Sequence, residues 1–220
     1  MKFTSSLAHR VISLSKDNTS PFIVAICGWA DTGKSTLAKL LCEELQQQGT
    51  SADWISTDAF LMDRNLRNKL GITGYNTASI DTDELMKATT QLSCGAPYEY
   101  FPYENRTGTR AAQSRSITPQ EIVIIEGIHS LHIALLPQLQ YKIFIDAPVD
   151  VMKFLRIKAN MNKRGMAVQE ASSRVDFELE EFRKYTAPGK RRADCVVNVT
   201  RAYDYTFASS VDHGRSVCAP

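Results

Sequence analysis

The sequence predicts an α/β domain, a mainly parallel sheet with helices on both faces. Short apolar runs alternate with segments of helical period along most of the chain, and that order needs parallel strands joined by crossover helices. The segment Gly28-Trp29-Ala30-Asp31-Thr32-Gly33-Lys34-Ser35-Thr36 has the spacing G-x-x-x-x-G-K-[ST] between one such run and a helix, which is the layout of a phosphate-binding loop. A chain of 220 residues suffices for one domain of this kind with a full core and is short for two.

Each element follows in order. Leu7, Val11 and Leu14 mark an amphipathic helix within an N-terminal extension over residues 1–20. Phe22-Ile23-Val24-Ala25-Ile26-Cys27 is uncharged throughout, as a strand buried on both faces must be. After the loop, Leu37, Leu40, Leu41 and Leu45 recur at helical spacing, and Gly49 stands at a left-handed C-cap. Residues 52–57 form the next strand and deliver Asp58 at its C-terminal end, where open parallel sheets bind ligands. Residues 61–80 carry two glycines and no sustained period, and read as a substrate flap. Asp81 with Glu84 opens a helix that ends near Gly95. Residues 96–110 are rich in Tyr, Phe, Pro and Gly without strand alternation, a composition expected of a functional loop. Ile122-Val123-Ile124-Ile125 is the most strand-like run and ends in Glu126-Gly127, as a Walker B strand does. Residues 141–145 give another strand, broken by Asp146 and Pro148. A basic helix over 149–162 and a second helical segment over 167–185 form a helical lid, and Pro188-Gly189 turns the chain into a last strand over 193–197. The P-loop NTPase-type domain thus spans 21–199, and residues 200–220 read as a surface tail.

Composition narrows the function classes. The net charge of +2 and a charged fraction of 23% are those of an ordinary soluble protein, with no electrostatic case for nucleic acid or a membrane as partner. Five cysteines, odd in number and widely spaced, suggest neither a disulfide framework nor a zinc pair. A reducing cytoplasmic setting is expected, and the first twenty residues lack the apolar core of a signal peptide.

The loop says only that a nucleotide is held. Its amides and the following helix N-terminus would face the β-phosphate, Lys34 adds charge, and Ser35 offers a Mg²⁺ ligand. A GTP switch needs N-K-x-D, and the nearest string, Asn162-Lys163-Arg164-Gly165, lacks the aspartate. A motor or transport ATPase needs a partner domain, which the chain does not show. A kinase for a small alcohol remains, with ATP and Mg²⁺ as cofactors. It requires a carboxylate to accept the hydroxyl proton, a metal site and cations over the transferring group. Asp58 is the candidate base, Glu126 with Ser35 the metal site, and Arg156, Lys158, Lys163 and Arg164 the cations of the lid. Lys190-Arg191-Arg192 reads as a solvated basic turn more than as a nucleotide contact. Tyr98, Tyr100, Phe101, Tyr103 and Arg110 can wall a planar or sugar substrate.

These residues resemble the uridine kinase, phosphoribulokinase and pantothenate kinase family of P-loop kinases over roughly residues 22–198. The resemblance rests on G-W-A-D-T-G-K-S-T, S-T-D-A-F, P-Y-E-N-R-T-G-T-R, I-I-E-G-I, a basic lid helix ending K-R-G, and K-R-R-A-D-C-V-V. It implies that Asp58 is the catalytic base, with Phe60 beside it in a substrate site that also holds Asn76, Tyr103 and Arg110. It further implies that Tyr103 contacts a nucleobase and that Arg156, or Arg164, lies over the phosphates. Family members often form homo-oligomers. Uridine kinases match best, but they usually carry D-H-P where this chain has Asn76-Thr77-Ala78, a histidine at Gly108, and arginines at Ala159 and Met166. The phosphoryl-transfer half reads as intact and the nucleoside-reading half as altered. Uridine or cytidine is the leading acceptor. A pantothenate-like, sugar-phosphate or nicotinamide-riboside-like alcohol, or a nucleotide-binding regulator with little transferase activity, is the alternative.

Overall fold

The computed structural model describes residues 2–208. Its elements are α1 (Phe3–Ser15), β1 (Phe22–Gly28), α2 (Lys34–Gln47), β2 (Ala52–Ser56), α3 (Arg64–Lys69), α4 (Thr82–Ser93), β3 (Tyr98–Tyr100), β4 (Tyr103–Glu104), β5 (Thr109–Arg110), β6 (Arg115–Ile117), β7 (Ile122–Glu126), β8 (Tyr141–Asp146), α5 (Val149–Arg164), α6 (Val168–Tyr185), β9 (Cys195–Val199) and β10 (Tyr205–Phe207). Six strands form one sheet in the order β10-β9-β8-β1-β7-β2, parallel except for the β9–β10 pair.

The central strands are the apolar runs, β7 closing on Glu126, for a physical reason. β1 and β7 are buried at every position, since helices cover both faces of the sheet and leave no side of these strands to water. β1 sits between β7 and β8, so the phosphate loop leaves the middle of the sheet at its C-terminal edge. There the chain after β1 passes to one side and the chain after β8 to the other, the crevice in which such sheets bind ligands.

Four expectations need correction. The flap over 61–80 contains α3, a helix with no buried residue and therefore no apolar period to read. Residues 96–110 are not irregular: β3 pairs with β6 and β4 with β5, both antiparallel. The expected tail from residue 200 instead turns through Thr200–Tyr203 and adds β10 to the sheet edge; residues 209–220, including Cys218, lie outside the described residues. Leu14 and Leu40 face solvent at 48% and 39% exposure, so the stripes of α1 and α2 are narrower than the leucines suggest. α1 buries Leu7, Ala8 and Val11 and packs across α2. Phe3 reaches the rings of Tyr205 and Phe207 on β10, with centroids 5.9 and 4.7 Å away.

Candidate active site

Strand register builds the floor of the site. Glu126 lies level with Ile26 of β1 and Ser56 of β2, so the phosphate loop, Glu126 and the turn carrying Asp58 meet at one sheet edge. Gly127 permits this closeness. Its φ is 142°, and a Cβ there would lie 1.8 Å from Thr57 Oγ1, so any side chain would push the Asp58 turn away from β7. The edge opens into a cleft of about 400 Å³ lined by seven cations and four carboxylates, Asp31, Asp58, Glu126 and Glu178. The excess of positive charge suits an anionic ligand.

At the phosphate end, Lys34 Nζ and Thr32 Oγ1 both donate to the Trp29 carbonyl, at 2.8 and 2.7 Å, which fixes the loop's curl. Ser35 Oγ donates to Glu126 Oε1 at 2.9 Å. Burial, with the nearby Asp58 charge, pushes Glu126 above the usual carboxylate range, and this favours a positive partner for its ionised form. A hydroxyl and a carboxylate oxygen side by side fit a hard cation, and among the described residues no group of three or more His, Cys, Asp or Glu gathers to hold a metal. That donor set fits Mg²⁺, which keeps waters and takes substrate phosphates, better than a metal needing an all-protein cage. Behind the loop, Tyr205 Oη donates to the Gly33 carbonyl at 3.0 Å. With φ of 83° and Tyr205 Oη 2.1 Å from where a Cβ would stand, position 33 admits only glycine. The Ala30 amide donates to Tyr75 Oη at 3.1 Å.

The lid is tied to the loop by charge. Arg156 Nε and Nη2 donate to both oxygens of Glu178, at 2.6 and 2.8 Å, and Nη1 donates to Asp31 Oδ2 at 2.6 Å. Lys163 Nζ takes the other oxygen of Asp31 at 2.8 Å, and Arg174 Nε joins Glu178 at 2.8 Å. Burial alone would raise both acids, but Arg156 and Lys163 bring Asp31 down to about 2 and Arg156 with Arg174 holds Glu178 below its ordinary value. Arg164 donates to Asn160 Oδ1 and lines the cleft; burial and the adjacent Arg156 lower it to about 10.

At the other end, Asp58 stands out among the four carboxylates. Its backbone amide is held by Ser56 Oγ at 3.3 Å, yet its carboxylate, open to the cleft, accepts no hydrogen bond from the described residues. Burial pushes it up, with Lys34 and Arg67 opposing. Arg67 Nη2 donates to Tyr103 Oη at 2.7 Å, and Tyr103 Oη donates on to the Gly108 carbonyl at 2.9 Å. Arg64 donates to the Asn105 and Arg106 carbonyls. Among the described residues neither Arg64 nor Arg67 forms an ion pair.

A sequence profile of the phosphoribulokinase/uridine kinase family matches residues 23–206. The chain belongs to this family. It is accordingly a P-loop kinase, using ATP to phosphorylate a hydroxyl. The uridine kinase of Cronobacter sakazakii is 28% identical over 182 residues, which are 80% of this chain and 85% of that protein. Two solved structures share the fold: D-glycerate 3-kinase from Cryptococcus neoformans, with TM-score 0.72 and 13% identity over 96% of this chain and all of that one, and phosphoribulokinase from Rhodobacter spheroides, with TM-score 0.65 and 16% identity over 82% and 71%.

Of the residues singled out in the sequence, Ala30, Asp31, Gly33, Lys34, Ser35, Thr36, Asp58, Tyr103, Glu126, Arg156, Lys163 and Arg164 line the cleft. It leaves out several others. Gly28, which ends β1, and Thr32 are buried and do not line the cleft, and Trp29 is fully buried, stacked on Tyr75 and edge-on to Phe182, with its carbonyl accepting from Thr32 and Lys34. Phe60 is 2% exposed and packs on Tyr98 in the core. Asn76 spends its side chain capping Ala78 and donating to Tyr185 Oη, and Thr73, Gly74 and Tyr75 line the cleft in its place. Arg110 is exposed opposite Tyr103 in the β4–β5 pair. Lys158 lies over the Phe154 ring instead of the phosphates, and Lys190 pairs with Asp146. Sequence reasoning missed Arg67, Tyr75, Glu178 and Tyr203.

Proposed function

We propose that this kinase transfers the γ-phosphoryl group of ATP to a hydroxyl of a small metabolite, with uridine or cytidine as the leading acceptor. One observation carries the transfer reading: Asp58 is the cleft carboxylate that no described protein group satisfies. An unpartnered carboxylate beside Lys34 and raised by burial is suited to accept a proton from a substrate hydroxyl. Lys34 and the loop amides would bind the β- and γ-phosphates, and Arg156 with Arg164 would meet the charge that develops in transfer. Ser35 and Glu126 would hold Mg²⁺, which would supply neutralisation of the phosphate charge. The pyrimidine nucleoside is supported by the uridine kinase relatives and by Tyr103, an aromatic side chain lining the cleft.

A second reading is favoured by Arg64 and Arg67, two cations at the acceptor end without a carboxylate partner among the described residues. They suit an acceptor bearing phosphate or carboxylate, such as a sugar phosphate. ADP formation with Mg²⁺-ATP, measured across nucleosides, pantothenate, nicotinamide riboside and sugar phosphates, separates them, with Lys34→Ala protein as blank. Stimulation by uridine or cytidine supports the first reading, and stimulation only by an anionic alcohol replaces it with the second. Tight ATP binding with no stimulation by any alcohol would make the chain a nucleotide-binding regulator.

A further inference from the structure

Asp31 is an unusual group to find inside a phosphate loop. Its carboxylate is 9% exposed, stands within a cleft suited to anions, and takes Arg156 and Lys163 at 2.6 and 2.8 Å. The backbone beneath it is left-handed, φ 60°, a conformation a β-carbon disfavours and glycine adopts freely. The loop therefore holds an acid where a glycine would sit more easily and where phosphates would be expected. Of the guanidinium nitrogens of Arg156, Nε and Nη2 donate to Glu178 and only Nη1 turns to the loop, where it donates to Asp31. Glu178 thus anchors the arginine, and Asp31 occupies its working edge.

We infer that Asp31 is an internal anion that competes with the nucleotide's phosphates for Arg156 and Lys163, latching the lid to the phosphate loop and setting the affinity for polyphosphate. The inference rests on the nucleotide-binding reading above. A triphosphate must displace the carboxylate from both cations before they can serve it, so the measured dissociation constant is the intrinsic one divided by the fraction of molecules unlatched. Asp31 is a positioning residue in this account, since it acts through the two cations.

The test measures binding of Mg²⁺-ATP, inorganic tripolyphosphate and adenosine to the full chain by calorimetry, for the native protein, Asp31→Asn, Asp31→Gly and Asp31→Glu. Asp31→Asn removes the charge and keeps the shape; Asp31→Gly also relieves the backbone, so strain and charge separate. Both are expected to bind tripolyphosphate and Mg²⁺-ATP about tenfold tighter, corresponding to a latch open in about one molecule in ten. Adenosine is expected to bind unchanged, and Asp31→Glu to keep the weak native affinity. In turnover, the KM for ATP falls in Asp31→Asn while kcat does not rise. Phosphate affinity equal to native or weaker in both neutral variants overturns the latch, as does tightening only in Asp31→Gly, which would be relief of strain. Failure of every variant and of the native chain to bind tripolyphosphate or Mg²⁺-ATP overturns the nucleotide reading and the latch with it.

Discussion

Replacing Asp58 by asparagine separates catalysis from architecture, because the carboxylate proposed as the base has no structural partner among the described residues. General-base assistance contributes about 10²–10⁴ in rate, so kcat in Asp58→Asn is expected to fall by that factor, about 3–5 kcal/mol of barrier. Mg²⁺-ATP binding is expected to persist, since the proposed phosphate contacts lie on Lys34 and the loop. Burial, the largest influence on Asp58, raises it above its ordinary value of 3.8. The folded state therefore binds a proton more tightly than the unfolded one. Stability from this group is present at low pH and is lost as pH rises through the raised value. At pH 7.5 the ionised carboxylate is a net cost, and Asp58→Asn is expected to melt at a higher temperature than the native protein, with the gap closing as the buffer is taken towards pH 4. The acid limb of kcat/KM, set by the same group above the ordinary aspartate range, is expected to vanish in the variant. A coupled ADP assay and thermal melts at several pH values read all of this. Native turnover in Asp58→Asn would remove it as the base, and an identical melting temperature at every pH would show that the burial argument is wrong.

Three further outcomes follow from the same geometry. Glu178→Gln strands Arg156 beside a neutral amide and is expected to cost about 3 kcal/mol of stability, read by urea unfolding; a loss under about 1 kcal/mol would mean that Asp31 alone satisfies the arginine. Ser35→Ala and Glu126→Gln are each expected to raise the Mg²⁺ concentration for half-maximal activity about 10–100-fold, and activation curves that superimpose on the native one would move the metal elsewhere. His129, whose Nε2–H donates to the Gly74 carbonyl at 2.7 Å, is buried neutral and lowered by that burial to about 4 from 6.5. The unfolded imidazole takes up a proton across this window and the folded one refuses it. Stability is expected to drop by about 3 kcal/mol as pH falls from 6.5 to 4, and a flat profile there would refute the assignment.

What could be read in the sequence follows what leaves a local trace. β1 and the first four residues of β7 announce themselves because burial on both faces selects apolar side chains there, and the loop because backbone close to phosphate demands glycines at a set spacing. Lys34 and Ser35 follow from the loop's spacing, and Asp58 and Glu126 from their place at strand ends. The hairpins of residues 98–117 left no trace, since strands of two or three residues are too short for a period and are specified by partners across the chain. β10 was hidden for the same reason. Asn76 and Phe60 followed the resemblance, but which way a side chain turns depends on neighbours such as Tyr185 and Tyr98. Glu178 was discoverable: it interrupts the stripe Ala171, Val175, Leu179 and Phe182 on α6, and a lone acid on an apolar face calls for a buried cation. Arg156, among Met152, Leu155 and Ala159 on α5, is that cation.

The hydrogen bond from Tyr205 to Gly33 joins residues 172 positions apart, and this has a meaning for how the chain is made. The ribosome releases the glycine-lysine segment early, but β1 needs β7 and β8 beside it, and the loop needs Tyr205 behind it. At about 5–20 residues per second, the finished motif waits roughly 10–30 seconds before its brace is synthesised. In the first part of that interval, until β7 and β8 have been made, an apolar strand meant for the middle of the sheet has no neighbour, a state prone to aggregation. The last brace of the loop is therefore set only when the antiparallel edge strand docks, after every other strand of the sheet has left the ribosome.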